Sequence, residues 1–271
     1  MQLPNRPIKY IVSDMDGTLL NNNHQVSTLF YDLHARLKAH GIGFIAASGR
    51  QYNSMYEKLA PIAEDVIFIA ENGAMTMYKD QLLHQCPLQK EDVSRIIDTI
   101  KLQEDIHSVL CCNGTALTTS VSERFLTYLS EFYIGHEQVK SYEDLRHTVL
   151  KIALNHNGNA EEQIYPYVKS LEKYYKVKVS GNHWVDISHV DAHKGFALNQ
   201  LLKDKGVDPE EIMVFGDFNN DIEMLELTPW SYAMGNAHPN VVKTARFQTL
   251  SNEERGVEHV LLQLVQQIEG A

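Results

Sequence analysis

Short apolar runs that break off in polar or glycine residues recur near both ends of the chain, and a stretch with a different rhythm lies between them. Ile8 to Val12 is apolar and β-rich and runs into Asp14-Met15-Asp16-Gly17-Thr18. After a polar loop at Asn21 to Gln25, Ser27 is placed to cap a helix reaching about His40, with Leu29, Phe30, Leu33 and Leu37 on one face. Ile42 to Ala47 then reads as a strand ending in Ser48-Gly49-Arg50. A helix to about Leu59 follows and stops before Pro61. Val66 to Ala70 is a third strand, ending in Glu71-Asn72-Gly73. Strands that alternate with helices imply parallel β-α-β units.

From Ala74 the pattern changes. Ala74 to Tyr78 and Leu82 to Cys86 flank a Lys79-Asp80 turn and read as a hairpin. The expected order beyond it is a helix (Lys90 to Gln103), a hairpin, a helix (Ser122 to Tyr133), a strand (Val149 to Leu154), a helix (Asn159 to Lys173) and a strand (Tyr174 to Val179). Asn113-Gly114 between two β-rich runs suits a type I′ turn. Hairpins make antiparallel neighbours, so this block is expected to be an α+β domain inserted into the first. The earlier rhythm returns with a helix over Lys194 to Lys205 and a strand over Ile212 to Phe215 that ends in Gly216-Asp217-Phe218-Asn219-Asn220-Asp221. A short helix (Glu223 to Leu227), a strand (Trp230 to Met234) and a last helix (Val257 to Ile268) complete it. The reading is an α/β fold, a doubly wound, mostly parallel Rossmannoid sheet core over 1–86 and 185–271, interrupted by an α+β domain over 87–184.

The 271 residues suffice for two domains. A net charge of −11 with no block of basic residues argues against a nucleic-acid partner. No apolar run reaches membrane-spanning length, and the polar, proline-interrupted start (Met1 to Pro7) does not read as a secretory signal. Three cysteines, two of them adjacent, suggest neither a disulfide framework nor a Cys-rich zinc site, so a cytoplasmic location is expected. His189 and His193 have the spacing of a helical metal pair, but their stretch reads as strand and linker.

The chemistry gathers at the strand ends. Asp14 and Asp16 repel each other unless a cation or a shared proton compensates. The carboxyl edge of an open α/β sheet is where ligands bind. The same edge is expected to carry Ser48, Asp217, Asn220 and Asp221, with Lys194 at a helix start. Hard oxygen ligands suit Mg²⁺, which keeps waters and substrate phosphate in its shell. Lys194 and Ser48 are suited to phosphoryl oxygens. A carboxylate is able to attack phosphorus, and a second acid two residues on is placed to protonate a leaving oxygen and then activate water.

With these residues in place, the chain resembles the haloacid dehalogenase (HAD) superfamily of phosphatases, more narrowly the Cof-type group with a subclass IIB cap. The four motifs stand as Asp14-Met-Asp16-Gly-Thr18, Ser48 in Ala-Ser-Gly-Arg50, Lys194-Gly195, and Gly216-Asp217-Phe-Asn-Asn220-Asp221. Glu71 to Ala74 and Met234 to Ala237 also match the group. The residue before the motif-three lysine is often Ser there and is His193 here. The resemblance implies that Asp14 is the nucleophile and Asp16 the general acid and base. It implies Mg²⁺ held by the Asp14 carboxylate, the Asp16 carbonyl and the Asp217 carboxylate, with Asp221 supporting the metal or steadying Lys194. It implies phosphate bound by Ser48, the Gly49 amide, Lys194 and Asn220. Arg50 is a candidate for substrate contact or for pairing with a neighbouring acid, and Asn72 for substrate contact or for setting the turn. The implied activity is hydrolysis of a small phosphorylated metabolite, a sugar phosphate or a phosphorylated cofactor, through an aspartyl-phosphate. A phosphotransferase or phosphomutase of the same superfamily is the alternative, with a phospho-receiver domain ranked below both.

Overall fold

The computed structural model describes residues 7–130, 136–143 and 145–270. The strands in chain order are β1 (Tyr10–Asp14), β2 (Gly43–Ala47), β3 (Val66–Ala70), β4 (Met75–Tyr78), β5 (Gln81–Gln85), β6 (His107–Cys112) and β7 (Thr115–Thr118). They continue with β8 (His136–Gln138), β9 (Val149–Asn155), β10 (Lys176–Gly181), β11 (Trp184–Ser188), β12 (Ile212–Gly216), β13 (Ser231–Ala233) and β14 (Phe247–Gln248). The chain divides into two compact units, Met1–His84 with His193–Ala271, and Gln85–Ala192.

The first unit holds an eight-stranded sheet in the order β14-β13-β12-β1-β2-β3-β4-β5. The six strands from β14 to β3 pair in parallel, and β4 turns back antiparallel on β3. Sequence neighbours β1, β2 and β3 run to one side of β1, while β12 and β13 lie on its other side. The order therefore reverses between β1 and β12, the switch point at which open α/β sheets leave a crevice for ligands. Val12, Ile45, Ile67, Ile69 and Val214 are buried with Leu198 and Leu202 of the helix Lys194–Lys205. Strands covered on both faces read as continuous apolar runs for this reason. The helix Thr28–Ala39 buries Phe30, Leu33, His34 and Leu37, and Ser27 caps it by accepting the Phe30 amide at 3.2 Å.

The second unit is a six-stranded sheet in the order β10-β11-β9-β6-β7-β8, antiparallel except for the β7–β8 pair. The helix Lys90–Ile100 and the segments between Ala160 and Lys173 bury one face, through residues such as Ile96, Ile152, Leu154, Val168 and Ile187. The helix Glu123–Leu129 packs Phe125 and Leu129 against Val109, Cys111 and Ala153. These alternate along their strands with the residues of the first face, as the two-residue period of a strand requires.

Several boundaries differ from the sequence reading. The inserted unit runs to Ala192 and not to Trp184, because β11 pairs with β9 and β10 inside the second sheet. The expected helix Asn159 to Lys173 is broken into Ala160–Gln163, Tyr165–Val168 and a 3₁₀ stretch Lys169–Lys173. Pro166 stands in the first turn of the second segment, where its missing N–H costs nothing but cannot continue the helix before it. The type I′ signature is at Lys79-Asp80, both residues with positive φ (49° and 57°), and not at Asn113-Gly114, where only the glycine is positive (84°). The end of the expected helix Ser122 to Tyr133 and the start of the Met1 to Pro7 segment lie outside the described residues.

Candidate active site

Parallel pairing aligns the carboxyl ends of β1, β2, β3 and β12 along one edge. Asp14 is the last residue of β1 and lies in register with Ala47, next to Ser48. Gly216 closes β12, next to Asp217. Asp14 is 5% exposed, and Lys194 and Asp221 are fully buried. The Lys194 Nζ donates to Asp14 Oδ1 at 2.5 Å and to Asp221 Oδ1 at 2.7 Å. Asp221 Oδ2 accepts the backbone amides of Asp217 at 2.9 Å and Phe218 at 3.1 Å. Asp221 thus ties the lysine to the loop that carries Asp217. Thr18 Oγ1 donates to Asp217 Oδ1 at 2.9 Å. Asp14, Asp217 and Asp221 each offer an oxygen within 4.8 Å of the others.

Close approach explains the glycines of these turns. Gly17 has φ 78°, and a Cβ there would strike the Asp217 carboxylate. A Cβ on Gly216 would lie 2.6 Å from that of Asp221, and one on Gly195 would lie 2.6 Å from the Glu223 backbone. Lys194 starts its helix behind His193, whose Nδ1 accepts the Phe196 amide at 3.2 Å. The imidazole does here what a serine does at other helix starts, so the departure at residue 193 leaves the lysine's placement intact.

Three carboxylates against one ammonium leave this cluster two charges short of neutral. Burial pushes Asp14 well above the usual carboxylate range. Lys194 opposes the shift, while Asp221 and Asp217 add to it. Burial and the Asp221 charge raise Asp217 to about 6, against the Thr18 hydrogen bond and Lys194. Burial alone would favour a neutral Lys194 amine, yet Asp14 and Asp221 outweigh it and hold the ammonium above its ordinary value. A surplus of converging, buried carboxylate oxygens is the donor set a hard divalent cation takes.

Asp16 is directed elsewhere. Arg50 grips its carboxylate with two hydrogen bonds, Nε to Oδ2 and Nη2 to Oδ1, both 2.6 Å, and His24 Nδ1 stands 3.1 Å from Oδ1. Burial raises the Asp16 pKa, but the hydrogen bonds and charge of Arg50, with His24, outweigh it and bring it below the ordinary value. Its carboxylate is not part of the three-acid group.

Ser48 is buried, and its Oγ accepts the Arg50 amide at 3.1 Å. Gly49 is exposed, and a Cβ on it would come 3.1 Å from the Asn72 amide group. Asn72 has positive φ (55°), as does Glu71 before it, and its Oδ1 accepts Asn220 Nδ2 at 2.9 Å. The structure therefore brings Asp14, Lys194, Asp217 and Asp221 together, joins Asn72 to Asn220, and gives Arg50 to Asp16. Thr18, His24 and Asn236 were missed as site residues. Asn236 Nδ2 holds the Gly17 carbonyl at 2.8 Å, and its Oδ1 accepts the Asn252 amide at 3.0 Å, which fastens the Asp16-Gly17 turn. The Met234 to Ala237 match carried a signal for Asn236. Nothing in the polar loop around His24 marked that residue.

Among the described residues no helix is long and apolar enough to cross a membrane, and Asp14, Asp217 and Asp221 form the one acidic or histidine-bearing group able to hold a metal. Residues 11–261 match the family model described as haloacid dehalogenase-like hydrolase. The chain is 30% identical over 257 residues to the 5-amino-6-(5-phospho-D-ribitylamino)uracil phosphatase YbjI of Escherichia coli, covering 94% of this chain and 95% of that one. The crystal structure of SMU.1108c from Streptococcus mutans superposes with a TM-score of 0.82 at 33% identity, over 95% of this chain and 99% of that one. The subclass IIB sugar phosphatase BT4131 shares the fold, with a TM-score of 0.75 at 19% identity over 94% and 98% of the two chains.

Proposed function

The chain belongs to the haloacid dehalogenase-like hydrolases, and from that premise we propose that it is a Mg²⁺-dependent phosphatase of small phosphorylated metabolites. One observation carries the reading. A fully buried lysine joins the acid at the end of β1 to the acid after β12, at the switch point of the sheet, with a third acid within ligand distance.

Asp14 attacks phosphorus through a carboxylate oxygen. The new oxygen–phosphorus bond forms as the ester oxygen departs with its electron pair, and Asp16 supplies the proton that oxygen takes up. Water then attacks phosphorus, Asp16 accepts the proton, and the acylphosphate bond breaks to restore Asp14 and release phosphate. For the first proton transfer the Asp16 carboxylate has to leave the Arg50 fork and carry a proton. A leaving group that engages Arg50 offsets the bonds lost. Lys194 steadies phosphoryl oxygens and holds Asp14, while Ser48, the Gly49 amide and Asn220 position the group. The Asp14 and Asp217 carboxylates, with the Asp16 carbonyl, would hold the divalent cation. Such an ion supplies charge neutralisation for the phosphoryl group. Asp221 has its three hydrogen bonds with Lys194 and the loop amides, so its part is to set those in place. The inserted unit sets substrate choice, and 5-amino-6-(5-phospho-D-ribitylamino)uracil heads the candidates. A cytoplasmic location agrees with three buried, free cysteines.

Phosphate release measured with Mg²⁺ and no added acceptor tests the proposal. Continuous turnover abolished by chelation supports it. Consumption of the ester only when a second alcohol or phosphoester is supplied, with the phosphoryl group on that acceptor and no free phosphate, would replace it with a phosphotransferase.

A further inference from the structure

The turn after β3 is where three other segments of the sheet edge meet. Glu71, Asn72 and Gly73 have φ of 50°, 55° and 98°, three left-handed residues in a row. Glycine adopts that conformation freely and asparagine tolerates it, whereas a glutamate takes it at a cost. Such backbone persists only where its surroundings fix it. The Glu71 amide donates to the Arg50 carbonyl at 3.0 Å and the Asn72 amide to the Ser48 carbonyl at 2.9 Å, which ties the turn to the one after β2. On its other side it abuts the start of the helix Lys194–Lys205. A Cβ on Gly73 would lie 2.4 Å from the His193 carbonyl oxygen and 2.9 Å from the Lys194 nitrogen.

The Asn72 side chain makes the third connection. Asn220 Nδ2 donates to its Oδ1 at 2.9 Å across 148 residues of sequence. The same amide group lies against Gly49, where a Cβ would come 3.1 Å from both its Oδ1 and its Nδ2. Asn72 is therefore wedged between Gly49 and Asn220, which arrive on different turns. Asn220 Nδ2 carries two N–H groups, one spent on Asn72 and one left for a further acceptor. An asparagine amide held by one such bond keeps a single direction. Released, it samples several rotamers and has to give up that freedom each time an anion binds.

We propose that Asn72 is a positioning residue for phosphate: it holds Asn220, not the phosphoryl group, and keeps the remaining Asn220 N–H beside the Gly49 amide so that both donors meet one anion. This role rests on the phosphatase reading and adds a residue to it. The full chain with Mg²⁺ is titrated with inorganic phosphate by calorimetry, in the parent form and in Asn72→Gly, Asn220→Ala and the double variant. Glycine at 72 keeps the left-handed backbone, so folding should persist without the side chain, which an unchanged near-ultraviolet dichroism spectrum checks. Asn220→Ala should weaken phosphate about tenfold and Asn72→Gly about fivefold. The double variant should be no weaker than Asn220→Ala, where independent contacts would multiply to about fiftyfold. Mg²⁺ affinity should be the same in Asn72→Gly as in the parent, because neither asparagine belongs to the three-acid group. A residue that only braced the fold would change both ligands together. Unchanged phosphate affinity in Asn72→Gly, multiplying losses in the double variant, or an equal loss of Mg²⁺ affinity overturns the inference and leaves the phosphatase reading standing. A parent protein that neither binds nor releases phosphate defeats that reading and the inference with it.

Discussion

Asp14 and Asp16 stand two residues apart in one turn and have opposite surroundings. Asp14 is 5% exposed and bonded to a buried lysine, and its burial, with two further acids beside it, raises its pKa. The Asp16 side chain is 40% exposed, gripped by Arg50 and touched by His24, and its pKa falls. Two carboxylates whose environments push their proton affinities apart are the pattern by which one site divides acid–base and other roles. The division rests on where the partners come from. Those of Asp14 arrive from 180 and 207 residues later in the chain, at Lys194 and Asp221. Those of Asp16 arrive from the adjacent loop and from the turn after β2.

If the roles divide this way, the two acids respond differently to the same loss. Asp14→Asn should lower turnover at least about a thousandfold, irrespective of leaving group. Asp16→Asn should slow the first, ester-cleaving step about a hundredfold to ten-thousandfold with an alkyl phosphate, and much less with para-nitrophenyl phosphate, read as the nitrophenolate burst, because that leaving group needs no proton. Equal losses on both esters would erase the distinction between them.

The buried side of the comparison also predicts stability. Lys194→Met leaves Asp14 and Asp221 buried without their cation, and unfolding titrations at neutral pH should show a loss of about 3–5 kcal/mol. Because the folded state raises the lysine's pKa, its stabilisation is present throughout the range below its unfolded value and fades only in strong alkali. A smaller effect should follow Asp217. Its pKa rises from 3.8 to about 6 on folding, so the folded state binds the proton more tightly than the unfolded one. Without metal, stability should therefore fall as pH climbs from about 4 to about 6, by roughly 1–2 kcal/mol after allowing for partial exposure. Asp217→Asn should flatten that slope, and Mg²⁺ should restore stability above it. Thermal melts across this range with and without the ion supply the check.

Much of the buried cluster was legible in the sequence, because each of its members follows or opens a regular element. Asp14 follows an apolar run, Asp217 follows another, and Lys194 opens a helix, so strand order alone brings them to one edge. The parallel rhythm of the core was legible for the same reason. The Asp16 side of the site was legible only in part, as one of two uses open to Arg50. The Arg50–Asp16 pair depends on how two loops fold toward each other, and His24 reaches Asp16 from a residue with positive φ (55°) in a polar loop without periodicity. In the inserted unit, apolar spacing suggested one helix from Asn159, but Pro166 overrides it, and β11 was lost in the return to the core because short half-buried strands resemble linkers. The Lys79-Asp80 turn shows that a two-residue hairpin loop takes positive φ even at a lysine, which does not favour it.

Hydrolysis by this route passes through a covalent bond between phosphorus and Asp14. Quenching the enzyme with borohydride during turnover, followed by peptide mass mapping, locates any acylphosphate by the reduction of its carboxyl group. A reduced side chain is expected at Asp14, dependent on substrate and Mg²⁺ and absent in Asp14→Asn. Turnover with no reduction at residue 14, or reduction at a different acid, would contradict it.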